Sequence, residues 1–248
     1  MIPVAASSQI ENSSTQKACD PVEWFWIRSG PGDFAFNMGL DEALLEAAPR
    51  FDHPVLRFYR WTEPAASFGY FQRYRDVEQL TMLRPLVRRP TGGGIVPHDA
   101  DWTYSLIFPP SNEWYHLAAK ESYHQVHFWI QRAFSQLGVE TELAQIRVKT
   151  QPGQCFVGHE QSDLLLSGAK IAGAAQRRRR DGLLIQGSVQ PPPSLCNHRN
   201  AWEQAMLDVS TPAHGAKWKS HPHENFLMER AMELARTKYA QPSYNMRR

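Results

Sequence analysis

The sequence predicts an α+β fold, a mostly antiparallel sheet flanked by helices. Three observations carry that prediction. Strand-like runs and helix-like stripes alternate along the chain, two strand pairs are joined by tight Ser-Gly and Asp-Gly turns, and no segment repeats. Residues 1–20 are rich in Ser, Gln and Asn and read as a disordered leader, leaving 21–248 as a single domain. Glu23–Ser29 reads as a strand with Trp24 and Trp26 on one face and Phe25 and Ile27 on the other. Phe34–Ala48 carries Phe36, Leu40, Ala43, Leu44 and Ala47 at helical spacing. Val55–Trp61 and Ala65–Phe71 are half-buried strands separated by Thr62-Glu63-Pro64. Asp76 suits the cap of a short helix running through Leu83. Strand Leu86–Arg89 leads into a glycine motif, and Trp102–Phe108 returns as another strand. Glu121–Leu137 is the longest helix, stopped by Gly138. Asp163–Leu166, Ser167-Gly168 and Lys170–Gln176 form a hairpin pattern, and Asp181-Gly182 turns the chain into Leu183–Val189. Pro191-Pro192-Pro193 closes the sheet, and helices near Trp202–Leu207 and Glu224–Tyr239 follow.

Composition narrows the function classes. The chain has 248 residues, 42% hydrophobic and 21% charged, enough to bury a sizeable core. A net charge of +2 provides no broad basic surface, so nucleic acid is not expected as a partner. No apolar run is long enough to span a bilayer, so no membrane is expected either. Three cysteines, widely spaced and odd in number, suit reduced thiols and a cytoplasmic location.

The most informative segment is Arg88-Arg89-Pro90-Thr91-Gly92-Gly93-Gly94-Ile95-Val96-Pro97-His98-Asp99. Consecutive glycines leave the backbone bare and free to take positive φ, and successive N–H groups in such a turn can cradle an anion. Two guanidiniums beside it add forked positive charge. A plain solvated hairpin is the competing explanation. His98 and Asp99 read either as a polar turn or as a group that positions an acyl carbonyl or deprotonates an amine. The remaining histidines fit no zinc spacing, so no metal site is expected.

This motif, followed by Trp102-Thr103-Tyr104-Ser105 and by Ser167-Gly168-Ala169-Lys170-Ile171-Ala172-Gly173-Ala174-Ala175-Gln176, resembles the biotin/lipoate protein ligase and octanoyltransferase superfamily, on its lipoate side. Phe36–Leu44 resembles that family's first helix. Arg57-Phe58-Tyr59 with Trp61, then Ser67-Phe68-Gly69-Tyr70-Phe71-Gln72, resembles the next two strands. Thr237-Lys238-Tyr239 with Tyr244-Asn245 resembles the lipoate members' ending. The resemblance covers residues 22–248. It implies transfer of an octanoyl or lipoyl group to a lysine of a lipoyl carrier domain, of the 2-oxoacid dehydrogenase E2 or glycine cleavage H protein type. It gives catalytic roles to Lys170 and Cys155. Around the acyl or nucleotide group it places Arg57, Ser67, Gly69, Arg88, Arg89, Gly92, Gly93, Gly94, His98, Asp99, Gly173, Ala174, Ala175, Gln186 and Gly187.

The residues can be read for chemistry without the resemblance. Lys170 follows a Ser-Gly turn in a strand of small apolar residues. It is either a solvated hairpin lysine or a cation aimed at a carbonyl or phosphate where negative charge develops. Gly173, Ala174 and Ala175 would leave room for an acyl chain. An eight-carbon tail buries about six methylenes, worth roughly 5 kcal/mol in all. Phe68, Tyr70, Phe71, Trp102 and Tyr104 are candidates for the groove wall, or plain core. Cys155 is either a buried small hydrophobe or a thiolate nucleophile activated by nearby positive charge.

Two mechanisms stay open. Gln154-Cys155-Phe156, Ala174-Ala175-Gln176 and Gln186-Gly187-Ser188 resemble the cysteine-type transferases, which take the acyl group from an acyl carrier protein and need no cofactor. The third glycine of 92–94 resembles the ligases, which use ATP and Mg²⁺ to make lipoyl-AMP. A non-catalytic acyl-binding module and a biotin ligase remain as weaker alternatives. Arg177–Arg180, the densest charge in the chain, is either solvated or a docking point for an acidic carrier.

Overall fold

The computed structural model describes residues 22–148, 156, 158–221 and 224–247. The expected leader 1–20 and Cys155 lie outside the described residues. The first half of the chain supplies β1 (Val22–Gly32), α1 (Phe34–Phe51), β2 (Val55–Trp61), β3 (Ala65–Phe68), α2 (Tyr74–Val77), β4 (Leu86–Arg88), β5 (Val96–His98) and β6 (Trp102–Phe108). It is followed by α3 (Glu113–His116), α4 (Ala119–Gln136), β7 (Glu142–Leu143), β8 (Leu164–Leu166), β9 (Ala169–Arg179) and β10 (Gly182–Val189). After a 3₁₀ turn at Pro193–Leu195 come α5 (Arg199–His214), β11 (Ala216–Ser220), α6 (Asn225–Leu234), a π turn at Ala235–Tyr239 and α7 (Pro242–Asn245).

These strands make an eight-stranded sheet in the order β11-β1-β2-β6-β10-β9-β8-β7 and a three-stranded sheet in the order β4-β3-β5. In the large sheet only β11–β1 and β1–β2 pair in parallel, so the expected mostly antiparallel sheet with flanking helices is what forms. The centre of that sheet reads as continuous apolar sequence because both faces are covered. Along β6, Trp102, Tyr104, Leu106 and Phe108 enter a core shared with Trp129, Phe134 and Trp202 from α4 and α5. Ile107 faces the other way, into a core shared with Leu40, Leu44, Leu227 and Tyr239 from α1, α6 and the π turn. Trp24 meets Phe108 and Trp129 edge-on at 5.6 and 6.0 Å; such pairs add about 0.5–1.5 kcal/mol each beyond burial. The small sheet packs Ala66, Phe68, Leu86 and Ile95 onto Val77 of α2.

Several expectations are corrected. The helix after Arg73 spans only Tyr74–Val77, with Asp76 inside its first turn and not at its cap. Glu121–Leu137 is realised as Ala119–Gln136, which equals α1 in length at 18 residues each. The Pro-rich segment does not close the sheet, because β11 returns later to add the edge strand beside β1. Of the five residues read as groove wall or plain core, Phe68, Trp102 and Tyr104 take the second course, sequestered in the cores by apolar contacts.

Candidate active site

The glycine loop hangs between β4 and β5 and is tied down residue by residue. The carbonyl of Pro90 accepts from the Arg177 guanidinium at 3.0 Å, that of Thr91 from the Tyr70 amide at 2.8 Å, and that of Gly92 from Arg89. Gly93 sits at φ +87°, which suits glycine. Gly69 passes so close beneath that a Cβ there would lie 2.0 Å from the Gly93 carbonyl oxygen. The loop is therefore seated on bare backbone.

One cavity is lined from both sheets. Ser67, Arg89, Gly93, His98, Lys170, Gly173, Ala174, Ala175, Gln186 and Gly187 all face it, together with Met38, Tyr59, Val96, Thr103, Phe156 and Ser188. Lysine and glycine loop, separated by more than seventy residues of chain, thus share a single space. Lys170 Nζ lies 2.7 Å from Asp163 Oδ2, with both side chains nearly buried, and 5.3 Å from the Phe156 ring centroid. The lysine stem crosses directly over Gly173, where a Cβ would come within 2.6 Å of Cε. Glycine at 173 is what lets the ammonium reach across its own strand. On the opposite face of the sheet, a Cβ at Gly187 would strike the Tyr104 ring at 2.0 Å. Nearby His127 is fully buried, and desolvation pushes its pKa down to about 4, so it stays neutral.

Behind the cavity, Gln186 joins three elements. Its Nε2 donates to Asp41 Oδ2 at 2.7 Å, and its Oε1 accepts from Thr91 of the glycine loop at 2.7 Å. Asp41 also accepts from Arg57 at 2.6 Å, Ser105 at 2.7 Å and Tyr59 at 3.2 Å. Burial and the Asp41 charge together hold the Tyr59 phenol well above its ordinary pKa. Helix α1, the sheet and the loop are locked by this one amide and carboxylate.

Not every expected residue reaches the cavity. Arg57 is wholly buried and spends its guanidinium on Asp41, Asn37 and Ser29. Arg88 is likewise buried and donates to the carbonyls of Tyr70, Gln72, Tyr244 and Asn245. Both are brackets for the scaffold; an arginine this buried must find fixed acceptors, mostly side chains for Arg57 and main-chain carbonyls for Arg88. Gly69 supports the loop from below, while Gly92, Gly94 and Asp99 are not among the lining residues. Asp99 opens instead onto a polar basin with Arg60, Asp101 and Arg199. Tyr70 and Phe71 also stay out of the lining. Tyr70 stands between Arg247 and Arg177, at 4.2 and 4.7 Å from its ring centroid. Its hydrogen bonds to them pull its pKa down. Three of the four arginines of the run are tied to the fold: Arg177 holds Pro90, exposed Arg178 holds the Leu117 carbonyl, and Arg179 pairs with Glu42 at 3.1 Å. Arg180, with its side chain 95% exposed, reaches only the neighbouring Asp181, at 3.5 Å.

Two acids were missed. Asp163 opens the hairpin that carries Lys170, and Asp101 sits two residues beyond Asp99. His98 Nδ1 lies 2.9 Å from Asp101 Oδ2, while its Nε2 lies 2.8 Å from Ser67 Oγ. Two acids within three residues of a histidine were legible, but not which one turned inward.

A mixed sheet thus carries a seated glycine loop and, facing it across one cavity, a nearly buried lysine. The chain belongs to the lipoyl protein ligase A/B catalytic domain family, whose sequence profile matches residues 33–236. It is 37% identical over 173 residues to octanoyltransferase LipM of Oceanobacillus iheyensis, covering 67% of this chain and 63% of that one. To octanoyltransferase LipM of Staphylococcus aureus it is 35% identical over 179 residues, covering 67% and 65%. The chain thus spans somewhat less than two thirds of the length of these relatives. In fold it is similar to lipoate-protein ligase A bound with ATP, with TM-score 0.71, 19% identity and coverage of 92% of this chain and 98% of that one. It is also similar to a bipartite lipoate protein ligase from Thermoplasma acidophilum, described with its E2 lipoyl domain, with TM-score 0.68, 19% identity and coverage of 91% and 96%. Among the described residues no helix is long and apolar enough to cross a membrane, and no cluster of three metal-binding side chains occurs.

Proposed function

We propose that this chain is an acyltransferase of protein lipoylation. It takes an octanoyl (or lipoyl) group from octanoyl-acyl carrier protein onto Cys155 as a thioester. It then passes that group to a lysine of a lipoyl carrier domain, of the 2-oxoacid dehydrogenase E2 or glycine cleavage H protein type. Residues 21–248 act as one catalytic unit, without cofactor, in a reducing cytoplasmic setting that keeps the thiol free. The observation that carries this reading is the placement of Phe156, the residue after Cys155, in the same cavity as Lys170 and Gly93. The likeness to octanoyltransferases supports it.

In the first half-reaction the Cys155 thiolate attacks the donor's thioester carbonyl; a C–S bond to the enzyme forms and the carrier's thiolate leaves. In the second, an amine attacks, the amide C–N bond forms and Cys155 leaves as sulfur. In both, negative charge builds on the carbonyl oxygen, and the Lys170 ammonium meets it. The small side chains of Ala174 and Ala175 leave the space beside it for the first carbons of the chain.

A second reading, an ATP- and Mg²⁺-dependent ligase passing through lipoyl-AMP, is favoured by one feature, glycine at the third position of 92–94. The two separate in a single assay. Purified protein is given octanoyl-acyl carrier protein without ATP, or lipoate with ATP and Mg²⁺, and an apo carrier domain is weighed by mass spectrometry. Modification by the first route, with a mass gain on the enzyme that Cys155→Ser abolishes, is expected. Modification by the second alone assigns the ligase, and modification by neither sinks the enzymatic reading.

A further inference from the structure

From the hydrogen-bond directions around His98 we infer that Ser67, His98 and Asp101 form a proton relay that strips the incoming lysine ammonium; this rests on the acyl-transfer reading above. The directions follow from one donor that has no choice. Trp61 Nε1 can only donate, and it donates to Thr103 Oγ1 at 2.8 Å. Thr103 therefore sends its own proton to Asp101 Oδ2 at 3.0 Å, and Ser188 donates to the same oxygen at 2.7 Å. Asp101 is thus an acceptor, and the 2.9 Å contact to His98 puts a proton on Nδ1. In the neutral ring Nε2 is then a bare lone pair, 2.8 Å from the Ser67 hydroxyl, which donates to it. Ser67 Oγ accepts from Arg89 Nη1 at 3.4 Å and keeps its second lone pair for the cavity it lines. Trp61, stacked on the imidazole with centroids 4.0 Å apart, holds the ring in plane.

The cavity needs such a device. Arg89 already donates to Ser67 Oγ at 3.4 Å, so an ammonium drawn up to that oxygen is disfavoured and must shed a proton before it attacks. The ammonium gives one proton to Ser67 Oγ as the Ser67 proton passes to His98 Nε2. The freed amine attacks the acyl carbon, the C–S bond breaks, and the second nitrogen proton leaves with the sulfur. His98 faces the polar basin as well as the cavity, so the proton it took has a way out past Asp101 to water. Asp101 acts through His98 and is a positioning residue; Ser67 is the group that meets the amine.

The test compares two acceptors on enzyme already loaded with the octanoyl group and freed of donor. One is the carrier-domain lysine, an ammonium near neutrality. The other is hydroxylamine, a nucleophile that is already neutral there and needs no base. Ser67→Ala and Asp101→Asn are expected to slow transfer to the lysine about 100-fold or more, in the range of a lost general base, while hydroxylamine cleavage stays within about threefold. Asp101→Glu should recover part of the lysine rate. Equal loss with both acceptors, or no loss with either, overturns the relay. Should Asp101→Asn fail to fold, Ser67→Ala, which removes one oxygen, decides alone. If the wild-type protein never loads the acyl group, the acyl-transfer reading itself has failed, and the relay with it.

Discussion

Removing one charge of the Lys170–Asp163 pair should cost far more stability than removing both. At 2.7 Å, with an effective dielectric near 20, the Coulomb attraction is about 6 kcal/mol. Desolvating both ions offsets much of that, since only 8% and 7% of the two side chains remain accessible. Lys170→Met leaves the Asp163 carboxylate with only the Glu160 amide, at 2.7 Å, as a described hydrogen-bond donor. Asp163→Asn leaves an ammonium over Gly173 without its counter-ion. Each single change should lose about 3–5 kcal/mol, and the double variant should lose much less than their sum. Urea unfolding of the four proteins at one pH gives the coupling energy. A value below about 1 kcal/mol, typical of exposed pairs, would show that the charges do not meet in a buried site. The cycle also guards the assignment of Lys170, because inactivity of Lys170→Met alone is explained equally well by partial unfolding. The double variant restores the packing without the ammonium, and it should remain inactive.

The remaining predictions concern the frame around the cavity. Gly69→Ala must push Gly93 back by about 1.4 Å, the gap between 2.0 Å and ordinary contact at 3.4 Å. Turnover should fall about 100-fold at a stability cost of about 1–3 kcal/mol; turnover within twofold of wild type refutes the seating of the loop. His127 has a depressed folded-state pKa of about 4 against about 6.5 unfolded, so its contribution is full above pH 6.5 and is lost as pH falls towards 4. The loss is about 3 kcal/mol, and His127→Phe should flatten the stability-versus-pH slope in that window by about one proton. Arg180→Ala should leave the melting temperature unchanged. Arg179→Ala should lower it, because buried Glu42 then keeps only Lys238 and Tyr239 as partners. Equal effects would mean that the run is solvated after all.

The central strands were legible because their residues decide for themselves. Val55–Trp61 and Trp102–Phe108 match their expected bounds to the residue, since dense apolar runs between turn signals leave few alternatives. β11 was not legible: Ala216-Lys217-Trp218-Lys219-Ser220 is largely polar and becomes a strand by pairing with β1 at the sheet edge. The same division holds in the site. The glycine loop and Lys170 announce themselves by composition and by a lone charge among small residues. Arg57 and Arg88 carry the same signal and turn out to be buried struts, because only the packing around a guanidinium shows whether its acceptors are fixed main chain or an open cavity. Asp101 and Asp163 are single acids whose meaning comes from a partner across the fold, His98 in one case and Lys170 in the other. No local pattern encodes that.

Arg88 binds helix α7 to the root of the glycine loop. Its guanidinium clasps the carbonyls of residues 244 and 245, and the Asn245 side chain accepts from the Arg88 amide at 2.8 Å. A tug on residue 245 is therefore a tug on the strand that launches the triglycyl bend. Breaking or tethering the chain at residue 245 would act on the glycine loop's root without altering a single residue that lines the cavity.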